Sequence, residues 1–315
     1  MDTDILGSEY RRRTLEFADD DEGPVVATLV SRRAAQPTGR AVLYVHGWAD
    51  YFFQTHLADW YVERGIDFYA IDLRKYGRSL LPHQTPNFVR SVAEYFPDLD
   101  EAVRIIREDD GHERVLLNAH STGGLITALW LHRVRTDDVV DAAFLNSPFF
   151  EFNVNRATLA TLGPIYRAVS RFRPYARIPR AQVLAYGHSI HADHHGEWIF
   201  DLDWKPLGGQ PIYVGWIAAM QDAQARVRAG LDIPVPVLVA CGTRTYRKSV
   251  WTEAAMSADA VLNPDQIVAR AAQLGRHVTV VRIEGALHDL VLSAEPVRRK
   301  VFDELERWLG AYLPG

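Results

Sequence analysis

The feature that most constrains the fold is an alternation of short apolar runs with helical patterns on both sides of a central gap. The runs are rich in β-branched residues and lack polar alternation, which is typical of strands covered on both faces. Strands are predicted at residues 25–30 (paired with 14–17), 41–45, 68–71, 115–119, 142–145, 235–240 and 278–283. Helices are predicted at residues 57–64, 99–107, 125–134, 265–274 and 294–309, with Ser293 positioned to cap the last of them. This order predicts an α/β fold with a mostly parallel, doubly wound sheet.

The alternation stops between residues 149 and 231, where aromatic residues, prolines and histidines accumulate. A structureless loop of this length is improbable inside a compact domain. We therefore expect a cap or lid, inserted over the carboxyl ends of the strands, where open α/β sheets bind ligands. The predicted organisation is core (1–148), cap (149–231) and core (232–315), with Trp198 and Trp216 of the cap expected to contact substrate.

Composition narrows the functional classes. A net charge of −5 gives no reason to expect a nucleic-acid partner. The acidic start lacks the apolar region of a signal peptide, and no run reaches the roughly 18–20 apolar residues of a membrane span. The single cysteine, Cys241, excludes an intrachain disulfide and favours a reducing compartment. We expect a cytoplasmic protein without stable membrane insertion, and the sequence predicts no oligomeric state.

Residues 116–126, "LLNAHSTGGLI", carry a candidate nucleophile, Ser121, between a predicted strand and a predicted helix. This is the setting of the G-x-S-x-G nucleophile elbow, here with Ala119 at the first glycine position. Small flanking residues suit such a turn because it brings strand and helix backbones close together, and Gly123 and Gly124 keep the helix side open. The alternative is a serine that only caps the helix.

Two histidine-containing segments favour the nucleophile interpretation. His46 and Gly47 follow the strand at 41–45, where the backbone N–H of Trp48 can point at a developing oxyanion together with that of Thr122. His288 lies in a loop after the last predicted strand, from which it can fold back and accept the proton of the serine. We expect His46, Gly47 and His120 to lie at the substrate.

Taken in order, "HGW", "AIDLRKYGRSL", "AHSTGG", "DAVLNP" and "GALHDL" resemble the α/β-hydrolase superfamily. The closest resemblance is to its monoacylglycerol-lipase and lysophospholipase-like branch, and it covers nearly the whole chain apart from the insertion. It implies an α/β-hydrolase fold with a cap. It also implies that Asp72 and Arg74 are structural parts of a D-x-R-G-x-G-x-S turn, with Lys75 at a position where glycine is usual.

The resemblance also implies a catalytic acid after the strand that follows the cap. "DAVLNP" is similar to the D-x-V-V-D-P segment of the family, which assigns this role to Asp259 and makes residues 243–258 a local insertion. Glu253 and Asp265 are the alternatives, although Asp265 also suits the first turn of a helix.

A histidine cluster, "HSIHADHHGEW", raises the question of a metal, since His188, His191, Asp193, His194 and His195 have spacings that can ligate zinc. Polar cap surface is the simpler interpretation. A hydrolase with a Ser–His–Asp triad needs no metal, so we expect neither a metal nor another cofactor.

The resemblance implies a serine hydrolase that cleaves carboxylic esters through an acyl-enzyme, as a carboxylesterase or a lipase of the monoacylglycerol or lysophospholipid type. The aromatic cap favours a small-molecule substrate with an apolar acyl or aryl group. Two alternatives stay open: a serine hydrolase of thioesters, lactones or small amides, and a non-catalytic ligand-binding protein on the same scaffold.

Overall fold

The computed structural model describes residues 2–179 and 183–314, without the side chains of residues 156, 157, 159 and 160. Nine strands lie in this part of the chain: β1 (Asp2–Asp4), β2 (Gly7–Asp20), β3 (Gly23–Arg32), β4 (Arg40–Val45), β5 (Ile66–Asp72), β6 (Arg114–His120), β7 (Ala142–Asn146), β8 (Val237–Gly242) and β9 (Val278–Ile283). They form one sheet in the order β1-β2-β3-β5-β4-β6-β7-β8-β9. Strands β4 to β9 pair in parallel, and β1 to β3 add an antiparallel extension beside β5. The predicted mostly parallel α/β sheet is confirmed.

Helices cover both faces of this sheet. The eight α-helices of the described chain are α1 (Thr55–Val62), α2 (Phe96–Arg104), α3 (Thr122–Arg133), α4 (Arg156–Ser170), α5 (Ala185–Ile190), α6 (Val214–Ala229), α7 (Pro264–Ala271) and α8 (Glu295–Tyr312). In β4, Leu43 and Val45 pack in one apolar cluster with residues of α2, α3 and α7, and Val42 and Tyr44 pack in another with α1 and α8. Successive strand residues point to opposite faces, so a strand buried on both sides must be apolar throughout.

Several element ends differ from the sequence predictions. Strand β2 extends beyond the predicted residues 14–17. Many of its side chains are polar and exposed, so a prediction based on apolar runs detects only part of the strand. Helix α2 begins at Phe96, and a π-helical turn over Ile105–Asp109 continues it. Ser293 does not cap α8: it is buried, and its Oγ accepts a hydrogen bond of 3.0 Å from the N–H of Leu287, next to His288.

Residues 149–231, called the inserted segment below, contain α4, α5 and α6, none of which the pattern predicted. Helix α6 is buried on most sides, so it lacks the polar face that makes a helix recognisable. Its Trp216 and Met220 share the apolar cluster of α3. Helix α4 packs on α6 where Gly163 approaches Gln221 and is otherwise largely exposed. Among the described helices, none is long and apolar enough to cross a membrane.

Candidate active site

Ser121 lies at a sharp turn between the end of β6 and the start of α3. Its backbone has φ 52° and ψ −116°, a conformation that L-residues rarely adopt and that tends to occur at functional sites. The turn is held by hydrogen bonds from the Ser121 N–H to the Asn146 carbonyl (3.0 Å) and from the Phe149 N–H to the Ser121 carbonyl (2.9 Å). The Ser121 side chain makes no capping hydrogen bond to α3. The alternative of a serine that only caps the helix is therefore not supported.

Two glycines allow α3 to start this close to the sheet. A Cβ at Gly123 would lie 2.3 Å from the carbonyl oxygen of His46, and one at Gly124 would lie 2.8 Å from the Cβ of Pro148. Contacts this short do not occur, so both positions require glycine. Ala119, in contrast, is fully buried, so its methyl group fits into the packing at the end of β6.

The hydroxyl of Ser121 belongs to a chain of hydrogen bonds with His288 and Asp259. The Oγ lies 2.9 Å from His288 Nε2, and His288 Nδ1 lies 2.9 Å from Asp259 Oδ2. All three side chains are buried. With a carboxylate at Nδ1, the neutral imidazole carries its proton there, which leaves Nε2 free to accept the hydroxyl proton. Three side chains that are far apart in the sequence thus lie together, joined by hydrogen bonds in the order Ser121, His288, Asp259.

Asp259 reaches His288 because its loop returns to the end of β8. The Tyr246 N–H donates to the Asp259 carbonyl (2.7 Å), and the Asp259 N–H donates to the Arg244 carbonyl (2.9 Å). The side-chain Oδ1 accepts hydrogen bonds from the N–H groups of Val261 (2.8 Å) and Leu262 (2.7 Å), which fix the carboxylate.

The two alternative acids lie elsewhere. Glu253 is exposed, and Asp265 is exposed and forms an ion pair with Arg282 at 2.9 Å. Of the three carboxylates considered from the sequence, Asp259 is the one at His288 Nδ1.

The two predicted oxyanion donors border the same cavity as Ser121 and His288. Thr122 is the first residue of α3, where backbone N–H groups have no partner within the helix and the helix dipole favours negative charge. The loop with Trp48 approaches from the other side. A Cβ at Gly47 would lie 3.0 Å from the Cβ of Ser121, so glycine permits this close approach.

The structure corrects three of the predicted substrate contacts, because His46, Gly47 and Trp198 are not among the described residues that line the cavity. Of the two ring nitrogens of His46, Nδ1 donates to the Gly47 carbonyl (2.7 Å) and Nε2 accepts from the Leu73 N–H (3.0 Å). Burial lowers the pKa of His46, so the ring is neutral and supports the loop with Trp48. Trp198 stacks on His56 at 4.2 Å and donates from Nε1 to the Leu292 carbonyl (2.8 Å).

His120 does line the cavity, with its ring centroid 4.8 Å from that of His288. Burial, reinforced by the repulsion that a protonated His288 would exert, lowers the pKa of His120 well below its ordinary value. A neutral His120 leaves His288 as the basic group beside Ser121 and does not repel an imidazolium formed there.

The cavity has a volume of about 610 Å³ and lies between the core and the inserted segment. Its wall is mainly aromatic and aliphatic: Trp48, Phe149, Tyr186, Ile190, Phe200, Leu207, Trp216, Tyr246 and Val261. Trp216, which the sequence analysis expects at the substrate, lines this cavity, with its ring 5.4 Å from that of Trp48. Such a wall suits an apolar ligand with a few polar groups.

Sequence reasoning missed a buried ion pair in this wall. Lys205 of the inserted segment donates from Nζ to Asp50 Oδ1 at 2.7 Å, and both side chains are buried. The ammonium also lies 5.6 to 5.7 Å from the ring centroids of Phe53, Tyr186 and Phe200. Within the described chain, Asp50 Oδ2 is buried without a hydrogen-bond partner. Asp50 and Lys205 are 155 residues apart, so no local sequence motif identifies this pair.

The histidine cluster forms ring contacts. His188 stacks on His194 at 3.9 Å, His195 stacks on Trp251 at 3.3 Å, and His191 Nδ1 accepts from the Asp193 N–H at 3.2 Å. In the portion of the chain that is described, no group of three His, Cys, Asp or Glu side chains is arranged to hold a metal ion.

A mostly parallel sheet, with a serine at the β6–α3 turn and a histidine after the last strand, defines an α/β-hydrolase fold. The family model described as "Hydrolase_4: Serine aminopeptidase, S33" matches residues 36–295. The chain belongs to this family of α/β-hydrolases, which confirms the resemblance to the superfamily. A comparison with curated proteins found no significant match.

Solved structures give the same fold at low sequence identity. A soluble variant of monoglyceride lipase from Saccharomyces cerevisiae, in complex with a substrate analog, is 16% identical, with a TM-score of 0.68 over 96% of this chain and 97% of that one. The monoacylglycerol lipase of Paleococcus ferrophilus is 18% identical, with a TM-score of 0.63 over 90% and 99%. Est1E from Butyrivibrio proteoclasticus, with bound ferulic acid, is 14% identical, with a TM-score of 0.59 over 96% and 100%.

Proposed function

We propose that this hydrolase cleaves carboxylic esters with an apolar acyl or aryl group, with Ser121 as nucleophile, His288 as general base and Asp259 as its partner. The observation that carries the proposal is the pair of 2.9 Å hydrogen bonds that join the three side chains in this order. The neighbours solved as monoacylglycerol lipases, and Est1E with its bound ferulic acid, an aryl carboxylic acid, are consistent with it.

The proposed reaction follows from the positions of these groups. His288 Nε2 accepts the proton of Ser121 as Oγ attacks the ester carbonyl, and Asp259 stabilises the imidazolium. The backbone N–H groups of Trp48 and Thr122 stabilise the oxyanion, each by about 3 kcal/mol in the transition state. His288 then protonates the leaving alcohol, and water releases the acyl group by the reverse sequence of proton transfers.

The wall of the cavity favours neutral esters over peptides, although the family description names serine aminopeptidases. An aminopeptidase must bind the α-ammonium of its substrate, which requires an available anion. Among the described lining residues, Asp50 is the one carboxylate, and Lys205 already neutralises it. A second buried cation at this pair would be uncompensated.

We also propose that the inserted segment acts as a cap that shapes substrate choice, because it contributes much of the wall opposite Ser121, including Tyr186, Phe200 and Trp216. Thioesters, lactones and small amides would use the same catalytic groups, so they belong in the substrate test.

The test is a panel of p-nitrophenyl esters of increasing acyl length, with a thioester, a lactone, and leucine and proline p-nitroanilides. We expect the esters to give the highest kcat/KM, and Ser121→Ala to lose activity by about 10⁶-fold without losing its fold by circular dichroism. Faster cleavage of the aminoacyl anilides would favour the peptidase. A folded protein that cleaves no compound in the panel would favour the non-catalytic binding protein.

A further inference from the structure

Asn146 is the last residue of β7, where it pairs with His120 of β6 and Ala240 of β8. Its backbone carbonyl accepts the hydrogen bond of 3.0 Å from the Ser121 N–H and lies 3.3 Å from His120 Nδ1. A backbone conformation as rare as that of Ser121 persists only where the surrounding structure fixes it. The main chain of Asn146 is one of the groups that fix this turn.

The side chain of Asn146 holds a second loop, the one that carries His288. Its Nδ2 donates to Asp289 Oδ1 at 2.7 Å, and its Oδ1 accepts from the Leu290 N–H at 3.2 Å. Asp289 and Leu290 directly follow His288. A carboxylate of the same size would lack the donor, and an aliphatic side chain would lack both groups. The amide of Asn146 therefore matches both of its partners.

Asp289 joins this contact to the core. It is fully buried, and it also accepts hydrogen bonds from Gln54 Nε2 and from the Val291 N–H, each at 3.3 Å. Gln54 Nε2 in turn donates to the Tyr44 hydroxyl at 3.0 Å. A buried polar group that loses its partner is costly, so these bonds hold the loop in one position.

The loop is anchored on both sides of His288. Before the histidine, the Leu287 N–H donates to Ser293 Oγ at 3.0 Å. After it, the amide of Asn146 binds the next two residues. Asn146 is therefore bonded to the turn of Ser121 through its main chain and to the loop of His288 through its side chain.

We propose that Asn146 is a positioning residue that sets the distance between Ser121 Oγ and His288 Nε2. This inference rests on the proposed function, in which these two atoms exchange a proton. A displacement of reacting groups by about 1 Å can cost about 100-fold in rate. Asn146 is not among the described residues that line the cavity, so its loss should lower kcat and leave KM unchanged.

The test measures kcat and KM for a p-nitrophenyl ester, well below the melting temperature of each variant. Asn146→Ala removes both side-chain bonds, and we expect kcat to fall about 100-fold. Asn146→Asp keeps the size of the side chain but places a second carboxylate against Asp289, so kcat should fall at least as far. Asn146→Asp/Asp289→Asn restores a donor opposite an acceptor, and its kcat should lie about tenfold above that of Asn146→Asp.

The matched control is Asn118→Ala. Asn118 is a buried asparagine of β6 whose Nδ2 donates to the Tyr61 hydroxyl at 3.1 Å. Its replacement removes a buried hydrogen bond and leaves the bonds of Asn146 intact, so we expect a lower melting temperature with kcat unchanged. The rate at which a fluorophosphonate labels Ser121 is a second readout that needs no ester substrate, and it should change in the same way as kcat.

The outcomes separate this inference from the proposed function. Labelled protein that hydrolyses no ester would refute the esterase, and the labelling rates of the variants would still decide the role of Asn146. Rates in Asn146→Ala as high as in Asn118→Ala would overturn the inference and leave the esterase intact. So would a double variant no faster than Asn146→Asp, or a raised KM with kcat unchanged. A protein that is not labelled at Ser121 would overturn both.

Discussion

The core sheet and the inserted segment use their side chains in opposite ways. In β4 the residues from Ala41 to Val45 are fully buried, and neighbouring strands fix the end of β6 where Ser121 turns. In α4 most described side chains are exposed. The inserted segment contacts the core mainly through its helix α6, which packs on α3, and along the cavity. The comparison teaches that the core positions the proposed catalytic side chains, whereas the inserted segment forms much of the cavity wall. Changes in the core should therefore alter rate, and changes in the inserted segment should alter selectivity or stability.

The largest effect is expected in the core, from Asp259→Asn. The amide keeps the shape but can favour the wrong imidazole tautomer, so we expect kcat for a p-nitrophenyl ester to fall about 10⁴-fold near neutral pH. Asp265→Asn is the matched control and should stay close to the unmodified enzyme, because Asp265 pairs with Arg282 at the surface. Equal losses in the two variants would contradict the assignment of Asp259.

The next effect concerns the contact between the two regions. Lys205→Met leaves Asp50 as a buried, unpaired carboxylate, which we expect to destabilise the protein by about 3 kcal/mol. The measurement is thermal unfolding, with the exposed Lys248→Met as control and Asp50→Leu/Lys205→Met as the variant that removes both charges. We expect the double variant to recover much of the loss. A melting temperature for Lys205→Met equal to that of the control would show that the pair does not stabilise this contact.

A smaller effect is expected from tryptophans of the inserted segment. Trp216 lines the cavity and Trp198 does not, so Trp216→Ala should change the kcat/KM ratio between long-chain and short-chain esters by about tenfold. Trp198→Ala should lower stability, because the stacking of Trp198 on His56 is lost. It should leave the ratio of kcat/KM values between the two esters unchanged. The reverse pattern would place the substrate elsewhere.

The last expected effect is a pH dependence of stability. Burial lowers the pKa values of His46 and His120 in the folded state, so the unfolded chain takes up their protons first, near its ordinary pKa of about 6.5. Stability is complete above this value and decreases as pH falls from about 6.5 toward the folded-state pKa values, by about 1.4 kcal/mol per pH unit for each histidine. The check is the melting temperature between about pH 7.5 and 5.5. We expect it to fall, with a shallower fall in His120→Asn.

Much of the core was predictable because its constraints are local. The strand before Ser121 contains the apolar run at residues 115–117, and the glycine after the serine is required by contacts that leave no room for a Cβ at Gly123. Asp259 was recognisable from "DAVLNP", although it lies many residues after the end of β8 in the sequence. The intervening loop returns to the strand end, where Asp259 pairs with Thr245. The roles of these residues remain proposals.

The inserted segment was less predictable because its contacts join distant parts of the chain. Helix α6 is buried on most sides, and its buried positions include Gln221 and Gln224, so the apolar residues do not follow a clear helical period. The Asp50–Lys205 pair and the packing of Trp198 on His56 depend on tertiary structure and have no local signal. His46 resembled a substrate contact because it adjoins the loop with Trp48, whereas both of its ring nitrogens bond to the backbone.

The most direct test of the central claim is covalent labelling with a fluorophosphonate, followed by peptide mass spectrometry. The account predicts one adduct per chain, on the peptide that contains Ser121, formed at a rate that His288→Ala greatly reduces and absent in Ser121→Ala. Ser147, a buried serine after β7, provides an internal comparison and should stay unlabelled. Labelling at another residue, or an unlabelled protein that still hydrolyses esters, would contradict the assignment of Ser121 as the nucleophile.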